Sequence, residues 1–206
     1  MVDGLVNLIQ KAQADLLIVS PYFVPGADMM NAFTGLRQRG VRVRVVTNSL
    51  ASNDAPLAHV GYARYRKALL GIGVELYELR GSDETDRRIL GSTPQSRSSL
   101  HAKTLVMDGR LMVVGTMNLD MRSALQNTEA GIVIRSRALS AELTPGIEKT
   151  LKDSYKVELK DGALLWHVPA ADTARAGQVV TSEPDASISL KLLVNIVGPF
   201  APDEML

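Results

Sequence analysis

A histidine, a lysine and an aspartate stand at fixed spacing near the middle of the chain, followed by a glycine, a threonine and an asparagine. They lie in the stretch HAKTLVMDGRLMVVGTMNLDMRS and fit the pattern HxK(x)4D(x)6G[ST]xN: His101, Lys103, Asp108, Gly115, Thr116 and Asn118. At average residue frequencies, a chance match in a chain of this size is about one in 10^5. A cation, an amide and a hydroxyl around one nucleophile can bind a phosphate group and attack it. The pattern therefore predicts a site for phosphate chemistry.

The elements around this pattern have to bring its polar side chains together. Side chains alternate along a strand, so His101 and Lys103 would share one face of a strand over residues 100–107. The Asp-Gly pair at 108–109 predicts a hairpin turn, after which a returning strand leads to Asn118. The hairpin is thus expected to place the histidine, the lysine and the asparagine near one another.

Strand and helix patterns alternate along the rest of the chain. Helices are predicted at 2–14, 56–70 and 139–155 and at a segment ending near Gly40; strands are predicted at 16–20, 41–47, 74–79 and 130–135, with a second hairpin at 155–168. This alternation predicts an α/β sandwich with a mixed central sheet. The polar stretch from Arg80 to Ser99 is predicted to be a long loop, and loops of that length tend to be functional.

The chain is expected to divide into one domain and a tail. Residues 1–170 carry the strand and helix patterns, whereas the sequence after Val168 turns to Ala, Thr, Gly, Ser and Pro, which is typical of a linker. An apolar segment, Ile188–Val197, follows with one lysine inside it. It is interpreted either as a docked terminal helix or as a helix that rests on a bilayer surface.

Composition narrows the classes of function. Lys and Arg number 23 against 22 Asp and Glu, a net charge of +1, which gives no support to a nucleic-acid partner. The lack of cysteine excludes disulfides, thiolate nucleophiles and Cys-ligated zinc. Three histidines, none at HxxxH spacing, argue against a histidine-based metal centre, while carboxylate magnesium sites stay open. No stretch reaches the ~18–20 apolar residues of a membrane span.

The central motif resembles the HKD motif of the phospholipase D superfamily. Further segments look like the second half of bacterial cardiolipin synthases: SPYFVPG (20–26), TNSLASND (47–54), HVGYARYRKALL (59–70), GVELYEL (73–79), NLDMRSALQNTEAGIVI (118–134) and PFAPDEML (199–206). Thr116 stands where that family often has Ser, and Met117 and Met121 replace residues that are usually Phe and Pro. The threonine keeps the hydroxyl, whereas the two methionines leave the substrate preference open.

The resemblance implies a phospholipase D-like α/β/α sandwich and a mechanism without metal or cofactor. His101 would be the nucleophile that forms a phosphohistidine, or the general acid if a partner motif supplies the nucleophile. Lys103 and Asn118 would hold the phosphoryl oxygens, and Thr116 would assist. Glu129 would stand behind the catalytic histidine and fix its tautomer, or be an ordinary solvated glutamate at the start of a strand.

Two other sets of polar residues are open to more than one interpretation. Asp108 belongs to the family signature, but its place at a turn favours a structural role. On the helix over 56–70, Tyr62, Arg66 and Lys67 could help to bind a lipid phosphate, although a solvated helix face explains the same charges. His59 and His167 are expected to have no catalytic role.

A single motif predicts half of an active site, because superfamily members build one site from two HKD motifs. If an N-terminal half belongs with this chain, the predicted activity is phosphatidyl transfer to a lipid hydroxyl, from phosphatidylglycerol or a similar phospholipid. The protein would then act peripherally, at the cytoplasmic face of a bacterial inner membrane. If two copies pair as a homodimer, phosphodiester hydrolysis is expected, as in single-motif nucleases. An inactive half-domain is the third hypothesis.

Overall fold

A computed structural model of the chain describes residues 2–81, 99–120, 123 and 128–197. The strands are β1 (Asp15–Val19), β2 (Arg42–Asn48), β3 (Glu75–Leu79), β4 (Thr104–Met107), β5 (Leu111–Gly115), β6 (Gly131–Arg135), β7 (Tyr155–Lys160), β8 (Ala163–His167) and β9 (Val179–Val180). The helices are α1 (Val2–Ile9), α2 (Gly26–Gln38), α3 (Pro56–Gly71), α4 (Arg137–Lys152) and α5 (Ile188–Val197). These strands and helices confirm the predicted α/β fold.

All nine strands form one mixed sheet in the order β6-β5-β4-β1-β2-β3-β7-β8-β9. Strands β1, β2 and β3 are parallel, and every other neighbouring pair is antiparallel. The central strands are apolar on both faces because helices cover both faces, as expected of parallel strands in an α/β fold. The mixed central sheet predicted from the sequence is therefore confirmed.

Two hydrophobic cores hold the layers together. The larger core joins one face of the sheet to α1, α2 and α3, and it includes Ile18, Phe33, Leu36 and Leu69. The smaller core joins the other face to α4 through Ile147 and Leu151. Helix α4 runs continuously through Pro145.

The sheet register determines which loops meet at one edge. Val19 at the end of β1 pairs with Thr104 at the start of the antiparallel β4, and Thr104 pairs in turn with Val114 near the end of β5. The carboxyl ends of β1, β2 and β5 therefore adjoin the segment that enters β4. This segment carries His101 and Lys103.

The predicted strand over 100–107 is shorter than expected, because β4 begins only at Thr104. Its partner β1 ends at Val19 and is followed closely by Pro21, which cannot donate a hydrogen bond to a ladder. His101 and Lys103 thus precede the strand. Most of the loop predicted between Arg80 and Ser99 lies outside the described residues.

The interpretation of Tyr62, Arg66 and Lys67 on α3 as a solvated face or a lipid-phosphate site is wrong for Tyr62 and Arg66. His59, Tyr62 and Arg66 are all buried, at 0%, 2% and 2% exposure. Both guanidinium Nη atoms of Arg66 reach Glu183, 117 positions later in the chain, with its Nη1 2.5 Å from Oε1. The C-terminal segment covers this side of α3, and only Lys67 keeps the predicted exposure.

The C-terminal segment adds structure where a linker was predicted. Strand β9 extends the sheet beside β8, and α5 packs against α3. The outer side of α5 exposes four large apolar side chains, Ile188, Leu192, Leu193 and Ile196. Within the described part of the chain, no helix is long and apolar enough to cross a membrane. The division at residue 170 stays a prediction.

Candidate active site

His101 stands exposed in the segment that leads into β4, and a buried asparagine fixes the chain just before it. Asn48, at the end of β2, accepts a hydrogen bond from the backbone N–H of Leu100 at 2.9 Å. Its Nδ2 atom also lies 3.4 Å from the carbonyl oxygen of Leu100 and 3.3 Å from that of Pro21. Asn48 thereby ties the entry to the motif to the ends of two parallel strands.

Lys103 points its ammonium group back along the motif. Its Nζ donates to the carbonyl oxygen of His101 at 2.9 Å, and its own carbonyl accepts from Gly115 N at 3.1 Å. Burial lowers the pKa of the Lys103 ammonium, although the carboxylates of Glu129 and Asp120 oppose this shift. Only one of the three ammonium protons is used in the hydrogen bond to His101, so two remain for a ligand.

Asn118 reaches the same edge from the end of β5. Its neighbour Leu119 donates its backbone N–H to Ser20 Oγ at 3.0 Å and accepts from Val24 N at 2.7 Å. The Asn118 Oδ1 atom is buried and has no hydrogen-bond partner among the residues that the structure describes. A buried acceptor without a partner is unusual. A phosphoryl oxygen, itself an acceptor, would be bound by the Nδ2 donors of this amide and not by Oδ1.

Thr116 and Glu129 contact each other directly. The threonine hydroxyl donates to Glu129 Oε2 and accepts from the backbone N–H of Ala130 at 3.1 Å. Because its proton is committed to Glu129, the hydroxyl holds the carboxylate in place and is not directed at a phosphate. Glu129 also acts electrostatically on Lys103.

Asp108 lies at the opposite end of the β4–β5 hairpin. Its carboxylate accepts hydrogen bonds from the backbone N–H groups of Gln13, Ala14 and Asp15, at 2.8 to 3.2 Å. Although burial opposes its ionisation, these backbone donors lower the pKa of Asp108 below its usual value. The contacts tie the hairpin turn to the loop between α1 and β1, as expected of a structural residue.

Sequence reasoning gave no role to Ser20 and Asn48, the two residues that hold the motif segments. Both follow buried residues at the carboxyl ends of parallel strands, where polar side chains of open α/β sheets gather around a ligand site. Their position at the carboxyl end of a parallel strand was the feature of the sequence that could have identified them. No local pattern predicts the partner of either residue, because the partner lies 99 positions away for Ser20 and 52 positions away for Asn48.

Gly115 is required by a close backbone approach between β5 and β6. A Cβ at this position would lie 2.6 Å from the carbonyl oxygen of Ala130 and 3.0 Å from Gly131 Cα. We expect Gly115→Ala to lower the free energy of unfolding by about 1–3 kcal/mol, because two backbones must separate. Urea unfolding measures this, with Gly131→Ala as the matched control, since its Cβ would meet only ordinary contacts at 3.8 Å or more. Equal stability of the two variants would contradict the steric argument.

The carboxyl edge of a mixed sheet presents a histidine, a lysine and an asparagine from one HxK(x)4D(x)6GTxN motif. This combination of fold and motif defines a phospholipase D-type domain. The family described as "Cardiolipin synthase, PLD-like domain" matches residues 5–151, and the chain belongs to it. The resemblance noted in the sequence is therefore confirmed.

Curated relatives agree with this assignment. The chain is 46% identical over 125 residues to cardiolipin synthase C of Escherichia coli (strain K12), which is 60% of this chain and 26% of that protein. It is 31% identical over 172 residues to cardiolipin synthase A of Yersinia pseudotuberculosis serotype O:3 (strain YPIII), 80% of this chain and 31% of that protein. The chain thus spans about a quarter to a third of these relatives.

Solved structures share the fold at low sequence identity. Nuc from Salmonella typhimurium, a phospholipase D family member, has a TM-score of 0.57 at 17% identity, covering 76% of this chain and 90% of that one. A phosphatidylserine synthase from Haemophilus influenzae Rd KW20 has a TM-score of 0.61 at 14% identity, covering 98% of this chain and 43% of that one. These similarities confirm the α/β sandwich with a mixed sheet.

Proposed function

We propose that this chain supplies one half of the active site of a phosphatidyltransferase that acts through a phosphohistidine. The observation that carries the proposal is an exposed histidine beside an ammonium group at one sheet edge, which the segment carrying Asn118 also reaches. The other two histidines are engaged elsewhere. His59 is buried beside Arg66 and Glu183, and His167 pairs with Glu158 on the neighbouring strand at 2.6 Å.

Two displacements at phosphorus make up the proposed reaction. An imidazole nitrogen attacks the phosphorus of a phospholipid diester, forming an N–P bond, while the P–O bond to the leaving alcohol breaks. A second histidine protonates the leaving alkoxide. The hydroxyl of the acceptor then gives its proton to that second histidine and attacks phosphorus, releasing the first imidazole. Covalent catalysis divides one difficult displacement into two easier ones.

Each residue of the half-site has a proposed role in these steps. His101 is the nucleophile or, if the second motif supplies the nucleophile, the general acid and base. Lys103 and Asn118 neutralise and hold the phosphoryl oxygens as negative charge develops on them. Glu129, held by Thr116, places a negative charge that acts on Lys103, and its proposed role is to fix the tautomer of the catalytic histidine. Asp108 keeps the hairpin that carries the motif attached to the loop before β1.

In this proposal the second histidine comes from a second motif half or a second copy of this chain, since the other two histidines, His59 and His167, are engaged elsewhere. The names of the relatives, cardiolipin synthases, support a phospholipid substrate, for which we propose phosphatidylglycerol or a similar phospholipid. Because the chain spans only about a quarter to a third of these relatives, a second motif half in the same protein is part of the proposal. The single motif leaves a homodimeric phosphodiesterase as the alternative. The net charge of +1 does not favour nucleic acid as its substrate.

Membrane association follows from the substrate class, and we propose that it is peripheral, at the cytoplasmic face of a bacterial inner membrane. The exposed apolar side chains of α5 would support contact with a bilayer surface. Flotation with vesicles that contain phosphatidylglycerol measures this association. A chain that never co-floats would contradict it.

Complementation tests whether the chain is half of a site. We expect the purified 206-residue chain alone to show no phosphatidyl transfer from phosphatidylglycerol vesicles, and transfer to appear when a chain carrying a second HxK motif is added. The physical reason is that the leaving alkoxide needs a second proton donor. Full activity of the chain alone, together with a twofold mass in sedimentation, would favour the homodimer. Inactivity in every combination would favour the inert half-domain.

A further inference from the structure

A second cluster of cations lies at the end of the β4–β5 hairpin that is far from the motif histidine. A cleft of about 630 Å³ opens there between the end of α1, the hairpin turn and the end of β6. Four basic residues line it, and all four are exposed: Lys11, Arg110, Arg135 and Arg137. We call it the basic cleft.

The basic cleft is separate from the candidate active site. Strand β5 runs from Leu111, which lines the basic cleft, to Gly115 beside Lys103. At ~3.3 Å per residue, its length alone separates the two places by about 13 Å. The motif histidine, which precedes β4, lies at the far end of the hairpin.

The charges in the basic cleft are not compensated by neighbouring carboxylates. Among the residues that the structure describes, Lys11, Arg135 and Arg137 form no ion pair. Arg110 meets Asp108 only at 3.5 Å, and that carboxylate already accepts three backbone N–H groups. In a chain whose net charge is +1, four cations in one cleft are a strong local excess.

The shape and chemistry of the basic cleft indicate its ligand. Its three guanidinium groups offer planar pairs of donors that match the oxygens of a phosphate group. Together they carry more positive charge than a single carboxylate would neutralise. Below them, Leu8, Met107 and Leu111 form an apolar floor. We infer that the basic cleft binds a phosphate ester, either the headgroup of an anionic phospholipid or a soluble phosphate compound. This inference does not depend on the proposed phosphatidyl transfer.

The first arm of the test uses inorganic phosphate and the whole 206-residue chain. Phosphate is titrated against chloride at equal ionic strength while backbone amide resonances are followed by NMR. We expect saturable shifts at Arg110 and Arg137, and an affinity at least about tenfold weaker in Arg135→Gln/Arg137→Gln, which equals about 1.4 kcal/mol. The matched control, Lys152→Gln/Lys160→Gln, removes the same charge from exposed sites elsewhere and should leave the affinity within about twofold.

The second arm distinguishes the two sources of phosphate. Co-sedimentation compares vesicles of phosphatidylcholine with vesicles that also contain phosphatidylglycerol. A loss of binding to the anionic vesicles in the arginine double variant alone assigns a lipid headgroup, whereas saturable phosphate binding without that loss assigns a soluble phosphate ester. The inference is overturned if phosphate shows no saturable effect, or if both double variants weaken binding equally.

Repeating the titration on His101→Ala separates phosphate binding at the basic cleft from phosphate binding at the motif. Phosphate at the basic cleft should shift Arg110 and Arg137 in that variant as before, since His101 lies at the other end of the hairpin. Phosphate at the motif would instead shift residues near Lys103 and Asn118. Shifts confined to the motif would overturn the inference and leave the proposed function standing.

Discussion

Replacing His101 by alanine is expected to lower phosphatidyl transfer by about 10^3- to 10^6-fold, in whichever assembly of this chain is active. The exposed imidazole is the group proposed to form or break the bond to phosphorus or to move the proton of the leaving alkoxide. Lys103 and Asn118 would still bind the phosphate, so substrate affinity should change far less than turnover. Initial rates with phosphatidylglycerol vesicles, measured over a range of lipid concentrations, separate the two quantities.

His167→Ala is the matched control for this prediction. His167 is also exposed, but it lies on β8 and pairs with Glu158, so its loss should leave turnover within about twofold. Both substitutions remove an exposed imidazole and should change the free energy of unfolding by no more than about 0.5 kcal/mol. Normal transfer by His101→Ala, or an equal loss in both variants, would rule out the proposed role.

Quenching with an alkaline denaturant during turnover, which preserves the acid-labile N–P bond, tells the nucleophile from the general acid. A phosphatidyl group found on His101 by mass spectrometry identifies it as the nucleophile. A phosphatidyl group found on the histidine of the second motif makes His101 the general acid, and the His101→Ala variant should then accumulate less of it. The two roles are open because one half of a two-motif site does not indicate which half attacks.

Replacing Arg66 by methionine is expected to lower the free energy of unfolding by about 3–5 kcal/mol, a large part of the stability of a single domain. Glu78 is fully buried and lies 2.8 Å from Arg66 Nε, and it also accepts hydrogen bonds from Tyr62 at 3.0 Å and Trp166 at 2.8 Å. Without the guanidinium, Glu78 would be left as a buried carboxylate and Glu183 as a partly buried one, and both would lose their arginine partner. Urea unfolding followed by circular dichroism measures the loss.

Arg42→Met provides the comparison for an exposed pair. Arg42 forms two hydrogen bonds with Glu75 at 2.6 and 2.8 Å, but its side chain is half exposed, so its loss should cost about 1 kcal/mol or less. The double variant Arg66→Met/Glu78→Gln should recover part of the stability, since one of the two stranded charges is then removed. A loss at Arg66 no greater than the loss at Arg42 would contradict the expected cost of the unpaired carboxylates.

The same cluster predicts how stability depends on pH. Burial opposes the ionisation of Glu183, yet the charge of Arg66 and the contact with His59 bring its pKa down to about 2 from its ordinary value of 4.5. The stabilisation from Glu183 is therefore present above about pH 4.5 and is lost as the pH falls toward 2. Arg66→Met should flatten this acid limb of the stability curve, because the charge that lowers the pKa is gone.

Local patterns in the sequence were enough for much of the fold and for the chemistry of the site. The alternation of apolar residues predicted the strands β1, β2 and β3 and the helix α3 to within a few residues, because the periods of strand and helix are properties of neighbouring residues. The spacing of the motif likewise identified His101, Lys103 and Asn118, whose roles stay predictions until they are tested. A hairpin brings these three residues together, and a hairpin is also a local structure.

Contacts between distant parts of the chain were decided only by the tertiary structure. The burial of Arg66 depends on Glu183, the position of Leu100 depends on Asn48, and the basic cleft joins Lys11 to the end of β6. No spacing rule relates such residues, because their separation along the chain is set by the loops and helices between them. The sequence by itself determined the periodic elements and the motif from which the phosphate chemistry is predicted. The packing of the layers decided which polar residues are solvated, which are buried as ion pairs and which gather into a second cationic site. The physical reason is that burial is a property of the assembled fold.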